Sequence, residues 1–370
     1  MNGVWEQERQ IHRERLARAL AADPRRDGRI EILEQALVAP LTFYDRTSSP
    51  QTFDGGAYDH DGKPCELSLH TKSMARNVPL PAMQASEFLP GTHLYGGLLK
   101  NEHFGHFVAE SLARLWATQV SRFDSVIFYP RDTGLAVPSF VQDTLDCISP
   151  KLSVHIVREP TRIERLVVPE QLCHPGIGFA SGHPLLKQAF SGVAAVDRAL
   201  PRKVYVSRSL LSGKEGCFLG ESYIEERLQD EGYAILHPQT LPIRDQFAAY
   251  AAADRLIFAE GSAMHLYALV TRPEQRAFII RRRPMGIVFD WQLASFGAQT
   301  LAGSSHILGF FIPERDGTDL LRARARLDMP SLAAELREEG FISNPDWSWQ
   351  PPDETGVWHG YDRFVPQRIA

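Results

Sequence analysis

The chain has 370 residues, 44% of them hydrophobic and 23% charged, with a net charge of −5 and a pI near 6.2. This length exceeds what one hydrophobic core usually serves, so two domains are expected. The near-average composition excludes long disorder and fibrous or disulfide-stapled classes. The mild acidity gives nucleic acid no general hold. Cys65, Cys147, Cys173 and Cys217 have neither CxxC nor zinc-ligand spacing, the pattern of reduced thiols in a cytoplasmic protein.

Met1 to Arg25 are dense in Glu, Arg and Gln and lack the apolar stretch of a secretory signal. Residues 1–28 read as a charged docking helix whose Trp5, Ile11, Leu16 and Leu20 give a partial apolar face. No segment approaches the roughly 18 uninterrupted apolar residues of a membrane span, because Asp254 and Glu260 interrupt the most apolar region, Phe247 to Val270. The expected location is the cytoplasm, with any membrane contact peripheral and at the inner face.

Arg29 to Pro90 is irregular and rich in Gly, Pro, Ser and Thr, with strand-like runs at Ile30 to Leu33 and Leu37 to Leu41. The pattern then sharpens. Thr92 to Leu99 reads as a strand, Asn101 to His106 as a loop and Phe107 to Val120 as an amphipathic helix. Ser125 to Tyr129 is a strand, Pro138 to Cys147 a helix, and Val154 to Val157 and Arg165 to Val168 are strands. This alternation predicts a Rossmann-like domain over 29–195. A loop at Gly176 to Gly182 and a helix at Leu185 to Leu200 place the junction.

Residues 196–330 form the clearer half. Lys203 to Val206, Ala234 to Leu236, Arg255 to Phe258 and Arg276 to Ile280 read as strands, separated by helices at Glu221 to Glu231, Ile243 to Ala252 and Ser262 to Val270. Such a run builds a doubly wound parallel sheet, with ligands expected beyond the carboxyl ends of its strands. Residues 331–370 add a helix, Ser331 to Glu339, and a Pro-rich tail with Trp347, Trp349 and Trp358 that is expected to pack across the domains. The fold class is therefore α/β, two Rossmann-like domains facing across a cleft.

Two strand ends carry anion chemistry. After Arg255 to Phe258 the sequence runs Ala259-Glu260-Gly261-Ser262-Ala263-Met264-His265, a small-residue turn into a helix start, where free N–H groups and the helix dipole favour a diphosphate. The plain alternative is a tight turn at Gly261 and a cap at Ser262. The strand Lys203-Val204-Tyr205-Val206 delivers Ser207 and Arg208 to the same sheet edge, and the guanidinium fork suits phosphate oxygens. Arg281-Arg282-Arg283 closes a neighbouring strand and reads more readily as a solvated charge run than as part of the site. Asp59-His60-Asp61 has the form of a metal-binding carboxylate pair, but its Gly-rich flanks spell a turn, and no metal is expected.

The order Tyr205-Val206-Ser207-Arg208, Glu221, Gly232-Tyr233, Leu241 with Gln246, Ala253-Asp254 and Gly261-Ser262-Ala263 resembles glycosyltransferase family 61. So does Asn101-Glu102-His103-Phe104-Gly105-His106-Phe107 running into Glu110, Leu112, Arg114 and Leu115. The likeness covers about Tyr95 to Arg283. It implies a GT-B architecture and an inverting, metal-independent transfer from a nucleotide sugar, a UDP-sugar in the first instance, held as co-substrate in the C-terminal domain with no other cofactor. The acceptor would be a glycan or lipid-linked glycan of a cell-surface or capsular polysaccharide. The sequence departs from the family pattern at Gly220 and at His265-Leu266, where Asn is common. A non-catalytic nucleotide- or sugar-binding relative, or another phosphate-handling transferase on the same fold, stays open.

An inverting transfer needs a base for the acceptor hydroxyl and donors for the leaving diphosphate. His106 and Glu110, one helical turn apart, are the catalytic candidates, with Arg114 a turn further and His103 beside them on the acceptor side. By spacing alone, Glu110 and Arg114 would be an ordinary ion pair and His106 a helix cap. The resemblance favours His106 as base and leaves Glu110 undecided between base and orienting group. Arg208 with the Ser262 and Ala263 amides is assigned to the diphosphate, Glu221 to ribose or sugar hydroxyls, and Ser207, Gly261 and His265 to the donor surroundings.

Overall fold

The computed structural model describes all residues except 1–3, 24–25, 46–50, 71–74, 78–83, 101–102, 132–133, 135, 175–176, 212–214, 285–286, 304–305, 314–319, 345–348, 350–362 and 367–370. Asn101, Glu102, Gly176, Trp347 and Trp358 of the sequence reading thus lie outside the described residues. The chain divides into two compact units, Ala22–Ala194 with Ala268–Val270, and Met1–Ala21, Ala195–Tyr267 and Thr271–Ala370. Helix α1 (Val4–Ala21) belongs to the latter, where Arg9 binds Glu338 at 2.9 Å and Glu339 at 3.0 Å, and His12 approaches the buried Asp290 at 3.2 Å. Of the residues expected on an apolar face, Ile11 is 51% exposed while Leu16 and Leu20 are half-buried, so ion pairs and part of that face hold this helix.

The first unit is built on a mixed sheet. Its strands are β1 (Ile30–Ala39), β2 (Tyr44–Asp45), β3 (Gln51–Phe53), β4 (Gly56–Tyr58), β5 (Ala75–Asn77) and β6 (Glu87–Leu99), followed by helix α2 (Phe104–Glu110), β7 (Ser125–Pro130), α3 (Ser139–Ile148), β8 (Ser153–Ile156), β9 (Thr161–Pro169) and α4 (Pro184–Phe190). The main sheet has the order β4-β1-β9-β6-β7-β8, while β2, β3 and β5 form a small separate sheet. Strands β9, β6, β7 and β8 are parallel, and β1 is antiparallel to both β4 and β9. The two runs expected around Ile30 and Leu37 are thus one strand. Its inward Leu33, Ala36 and Val38 pack with Tyr95, Leu98, Ile127, Ile163 and Leu166.

Where one helix was expected over Phe107 to Val120, a short α-helix passes into a 3₁₀ helix at Ser111–Gln119. The tighter winding stacks residues three apart along one line. Ser111 and Arg114 thereby both face the strand side, Ser111 Oγ donating to the Leu98 carbonyl at 2.9 Å. A β-bulge at Gly96-Gly97 bends β6 just before this junction. Gly97 has φ +84°, and a Cβ there would press on Arg114 Nε at 3.3 Å and on the Tyr95 ring. Helix α4 stops at Phe190 rather than near Leu200, because Ser191-Gly192 is a poor helix interior.

The second unit holds a five-stranded, wholly parallel sheet. Its elements are β10 (Lys203–Val206), β11 (Cys217–Phe218), α5 (Glu221–Asp230), β12 (Ala234–Leu236), α6 (Ile243–Ala252), β13 (Arg255–Ala259), α7 (Ala263–Val270), β14 (Arg276–Ile280), α8 (Val288–Ser295), β15 (Thr300–Ala302), β16 (Ile307–Ile312), β17 (Arg324–Leu327), α9 (Met329–Glu338) and β18 (Arg363–Pro366). The sheet order is β12-β10-β13-β14-β15. Leu256, Ile257 and Phe258 are all fully buried, as in a strand covered on both faces. On one face Ile257, Phe278 and Ile280 pack against Ile312, Ala325, Leu332 and Trp349. Tyr250, Phe258 and Tyr267 stack as a second cluster. Strands β11, β17, β16 and β18 form a further sheet of this unit.

In chain order the five parallel strands run 2-1-3-4-5. The order reverses between β10 and β13, and in open parallel sheets the crevice beyond such a reversal binds ligands. Among the described residues no helix is long and apolar enough to cross a membrane.

Candidate active site

The parallel-sheet unit carries its chemistry at that reversal. Beyond β10, Ser207 is buried and Arg208 half-buried. Arg208 donates from Nε and Nη2 to the Gly216 carbonyl at 3.3 and 3.0 Å. Its guanidinium lies over Gly261, where a Cβ would collide with Nη1. Beyond β14, Arg282 is only 5% exposed, and its Nε and Nη1 reach the carbonyls of Glu260 and Leu321 at 3.2 Å each. A Cβ on Gly216 would strike Arg282 Nη1, so each arginine closes over a glycine.

Neither guanidinium forms a salt bridge with a carboxylate among the described residues. Burial, then the charges of Arg283 and Arg208, lowers Arg282 to about 9, and burial also lowers Arg208. Two cations held together out of water want an anion. Helix α7 follows the Gly261-Ser262 turn; its Met264 and His265 N–H groups bond back to the carbonyls of Gly261 and Ser262 at 3.1 Å each, while the Ser262 and Ala263 N–H groups stand at the open end of the helix.

The run Arg281-Arg282-Arg283 is therefore not a solvated charge patch. Arg281 pairs with the buried Asp290 at 2.8 Å. Arg283 pairs through Nη2 with Glu260 at 3.0 Å, and the other Glu260 oxygen accepts from the backbone of Arg282 and Arg283. Of the three, Arg282 alone pairs with no carboxylate through its side chain among the described residues. Composition gave no sign of this, because the three differ in what the adjoining loops place beside them.

Glu221 opens α5 and is 5% exposed. Its Oε1 accepts from Tyr205 Oη, Ser207 Oγ and the Arg208 N–H at 3.1, 3.1 and 2.7 Å, while its buried Oε2 has no hydrogen-bond partner among the described residues. Burial pushes its carboxyl up to about 7 against the pull of Arg208 and these donors. Glu225, one turn on, accepts from Ser207 and Ser209 at 2.5 and 2.6 Å. His265 is buried, bonded through Nδ1 to Gln292 at 2.6 Å and tilted against the Phe289 ring, so its visible role is to fix α7 on α8.

The mixed-sheet unit carries the other candidates. His106 and Glu110 meet as the one-turn spacing in α2 requires, Nδ1 lying 2.6 Å from Oε1. The Glu110 side chain is buried, whereas that of His106 is 38% exposed. His103, at the start of the helix, is exposed and edge-on to His106 at 5.0 Å. Although burial opposes ionisation of Glu110, hydrogen bonds from His106 and His70 and the charge of Lys100 hold its carboxyl well below the usual range. An ionised carboxylate only accepts, so His106 donates from Nδ1 and turns the lone pair of Nε2 outward.

Arg114 forms no ion pair with Glu110. It is buried, its Nη1 and Nη2 donating to the carbonyls of Leu67 and Leu69 at 2.7 and 2.8 Å, its Nη1 also to Pro169 at 2.5 Å, and it lies over the Tyr95 ring. Tyr95 Oη adds a bond to the Ser68 carbonyl at 3.2 Å. The segment 67–69 is thus clamped, and the next residue, His70, is delivered to Glu110 Oε2 at 2.8 Å. Lys100, fully buried beyond β6, lies 3.6 Å from the same oxygen. Sequence reasoning passed over both. No spacing rule links His70 to a partner 40 positions away, whereas a lysine closing an apolar strand was a visible signal.

Asp59-His60-Asp61 is a surface turn, Asp59 Oδ1 accepting from the N–H groups of Asp61 and Lys63 at 3.0 and 2.8 Å. Among the described residues no group of His, Cys, Asp and Glu side chains is arranged to hold a metal ion.

The parallel-sheet unit thus holds two buried guanidiniums at the reversal of its strand order, and the mixed-sheet unit a histidine bonded to a buried carboxylate. Residues 104–276 match the family model described as Glycosyltransferase 61, and over this stretch the chain is similar to the glycosyltransferases of that family. No curated protein matches the chain.

Proposed function

We propose that the protein is an inverting, metal-independent glycosyltransferase that moves a sugar from a nucleoside-diphosphate donor, a UDP-sugar in the first instance, to a hydroxyl of a glycan or lipid-linked glycan in cell-surface or capsular polysaccharide synthesis. The match of residues 104–276 to the Glycosyltransferase 61 model supports the transfer of a sugar. The observation that carries the donor reading is the pair Arg208 and Arg282, two desolvated guanidiniums beside the Gly261-Ser262 turn that have no carboxylate partner among the described residues.

His106 Nε2 takes the proton of the acceptor hydroxyl as its oxygen bonds to the anomeric carbon. The bond from that carbon to the diphosphate oxygen breaks, and the electron pair leaves with the diphosphate. Arg208, Arg282 and the Ser262 and Ala263 amides take up the charge that a divalent cation carries elsewhere. A single displacement inverts the anomeric centre. The free oxygen of Glu221 is assigned to a hydroxyl of the donor, and the exposed His103 to the acceptor side.

The test is thermal stabilisation by UDP, GDP, CMP and TDP, since a ligand that binds only the folded state at 100 times its Kd adds about 2.7 kcal/mol. One nucleotide should stabilise the wild type, and Arg208→Ala and Arg282→Met should lose the effect. A shift that survives in both variants, or no shift with any nucleotide, overturns the donor assignment. Incubation of His106→Ala with the donor so identified and a glycan acceptor should give no product above background.

A further inference from the structure

His106 meets Glu110 through Oε1, and Oε2 is the face of that carboxylate turned to the interior. There it receives His70 Nε2 at 2.8 Å and Lys100 Nζ at 3.6 Å, from side chains as buried as Glu110 itself. Two elements far apart in the chain converge on one oxygen, at the cost of burying a lysine. A carboxylate that served only to pack would not need them.

We propose that His70 and Lys100 are positioning residues that set the tautomer of His106. Held ionised, Glu110 can only accept, so His106 carries its proton on Nδ1 and leaves Nε2 free. Without its inner partners a buried Glu110 would take a proton. Its O–H would then donate to Nδ1, and the imidazole proton would move to Nε2. The ring would keep its place and lose its basicity on the outward side.

The groups that face Glu110 divide accordingly. His106 lies on its own helix, Lys100 beyond β6 and His70 on the segment clamped by Arg114, while the Gln171 amide holds the Glu110 carbonyl at 3.1 Å. The charge of Arg114 acts on the same cluster, and the Cys173 thiol feels the charge of Glu110. Burial favours the neutral form of His70 and raises the Cys173 thiol to about 12, so near neutral pH Lys100 is a cation that meets Glu110 directly among the described residues. The catalytic meaning of the relay rests on His106 being the base, but the tautomer itself does not.

The experiment is nitrogen-15 NMR of histidine-labelled full-length protein, with the His106 signals assigned by their loss in His106→Gln. The wild type should show the Nδ1–H form of His106 at neutral pH. In Lys100→Met and His70→Phe the neutral ring should change to the Nε2–H form. Lys100→Arg and His70→Asn, which keep a donor, should retain the wild-type tautomer and show that the loss is not one of folding. A wild-type tautomer in both Lys100→Met and His70→Phe overturns the proposal. If the tautomer changes as expected while His106→Ala still transfers sugar, the relay stands and the base assignment falls.

Discussion

Arg208 occupies the space that a side chain at position 261 would fill. Its guanidinium is the mobile end of a long side chain, so a methyl group on residue 261 would displace it rather than break the sheet. Gly261→Ala is expected to weaken nucleotide binding at least about tenfold, equivalent to about 1.4 kcal/mol, and to leave the melting temperature of the free protein nearly unchanged. Titration calorimetry beside a thermal melt would separate the two effects. A melt lowered as much as binding would mean that Gly261 serves the turn alone.

Glu221 makes the stability of the unliganded protein depend on pH. Its carboxyl is raised to about 7 from 4.5, so between these values the folded chain holds a proton that the unfolded chain has released. The stability from this group is complete below about pH 4.5 and lost as pH rises through about 7, a change on the order of 3 kcal/mol. Glu221→Gln, which cannot ionise, should flatten this slope. Urea unfolding at intervals from pH 5 to pH 8 would show it, and parallel curves for the two proteins would refute the assignment.

The chain reads well where local pattern decides structure. The apolar runs of β10, β12 and β14 and the helix α6 lie where the alternation places them, because a strand buried on both faces leaves an uninterrupted apolar signature. It reads poorly where a distant partner decides. That β1 runs antiparallel to β9 follows from pairing across more than a hundred residues. His106 and Glu110 stood out because one helical turn links them. His70 and Arg282 acquire meaning only from chain segments that the fold carries to them.

Arg114 belongs to this second kind. Its planar fork reaches the carbonyls of Leu67, Leu69 and Pro169 together, a geometry that an ammonium group cannot copy. Even Arg114→Lys should cost on the order of 3–5 kcal/mol, because it leaves buried carbonyls unpaired. Since the clamp also delivers His70 to Glu110, the His106 tautomer should become mixed in any fraction that remains folded. A urea midpoint within error of wild type would show that the clamp is dispensable.

The Asp59 turn supports a sharper statement about metal. Asp59 Oδ1 is engaged by two N–H groups, whereas the Asp61 side chain is 76% exposed. Asp59→Ala should destabilise the protein by about 1 kcal/mol through the lost turn, and Asp61→Ala should do nothing measurable. Neither should alter transfer, and chelator should leave it intact. Activity lost in chelator and restored by manganese would return this turn to the site and remove the metal-independent mechanism.

Arg282 offers a test in which stability and function move in opposite directions. A desolvated guanidinium bonded only to carbonyls is held at a cost of a few kcal/mol, which its fall to about 9 reflects. Arg282→Met keeps most of the volume and removes the charge, and replacing a buried ion by an apolar group is often neutral or stabilising. The variant should therefore melt no lower than the wild type, yet show none of its stabilisation by nucleotide. An arginine that merely braced the loop would behave otherwise, its loss lowering the melt and leaving the nucleotide shift in place. Thermal melts of both proteins with and without saturating nucleotide decide between a cation kept for its ligand and a cation kept for the fold.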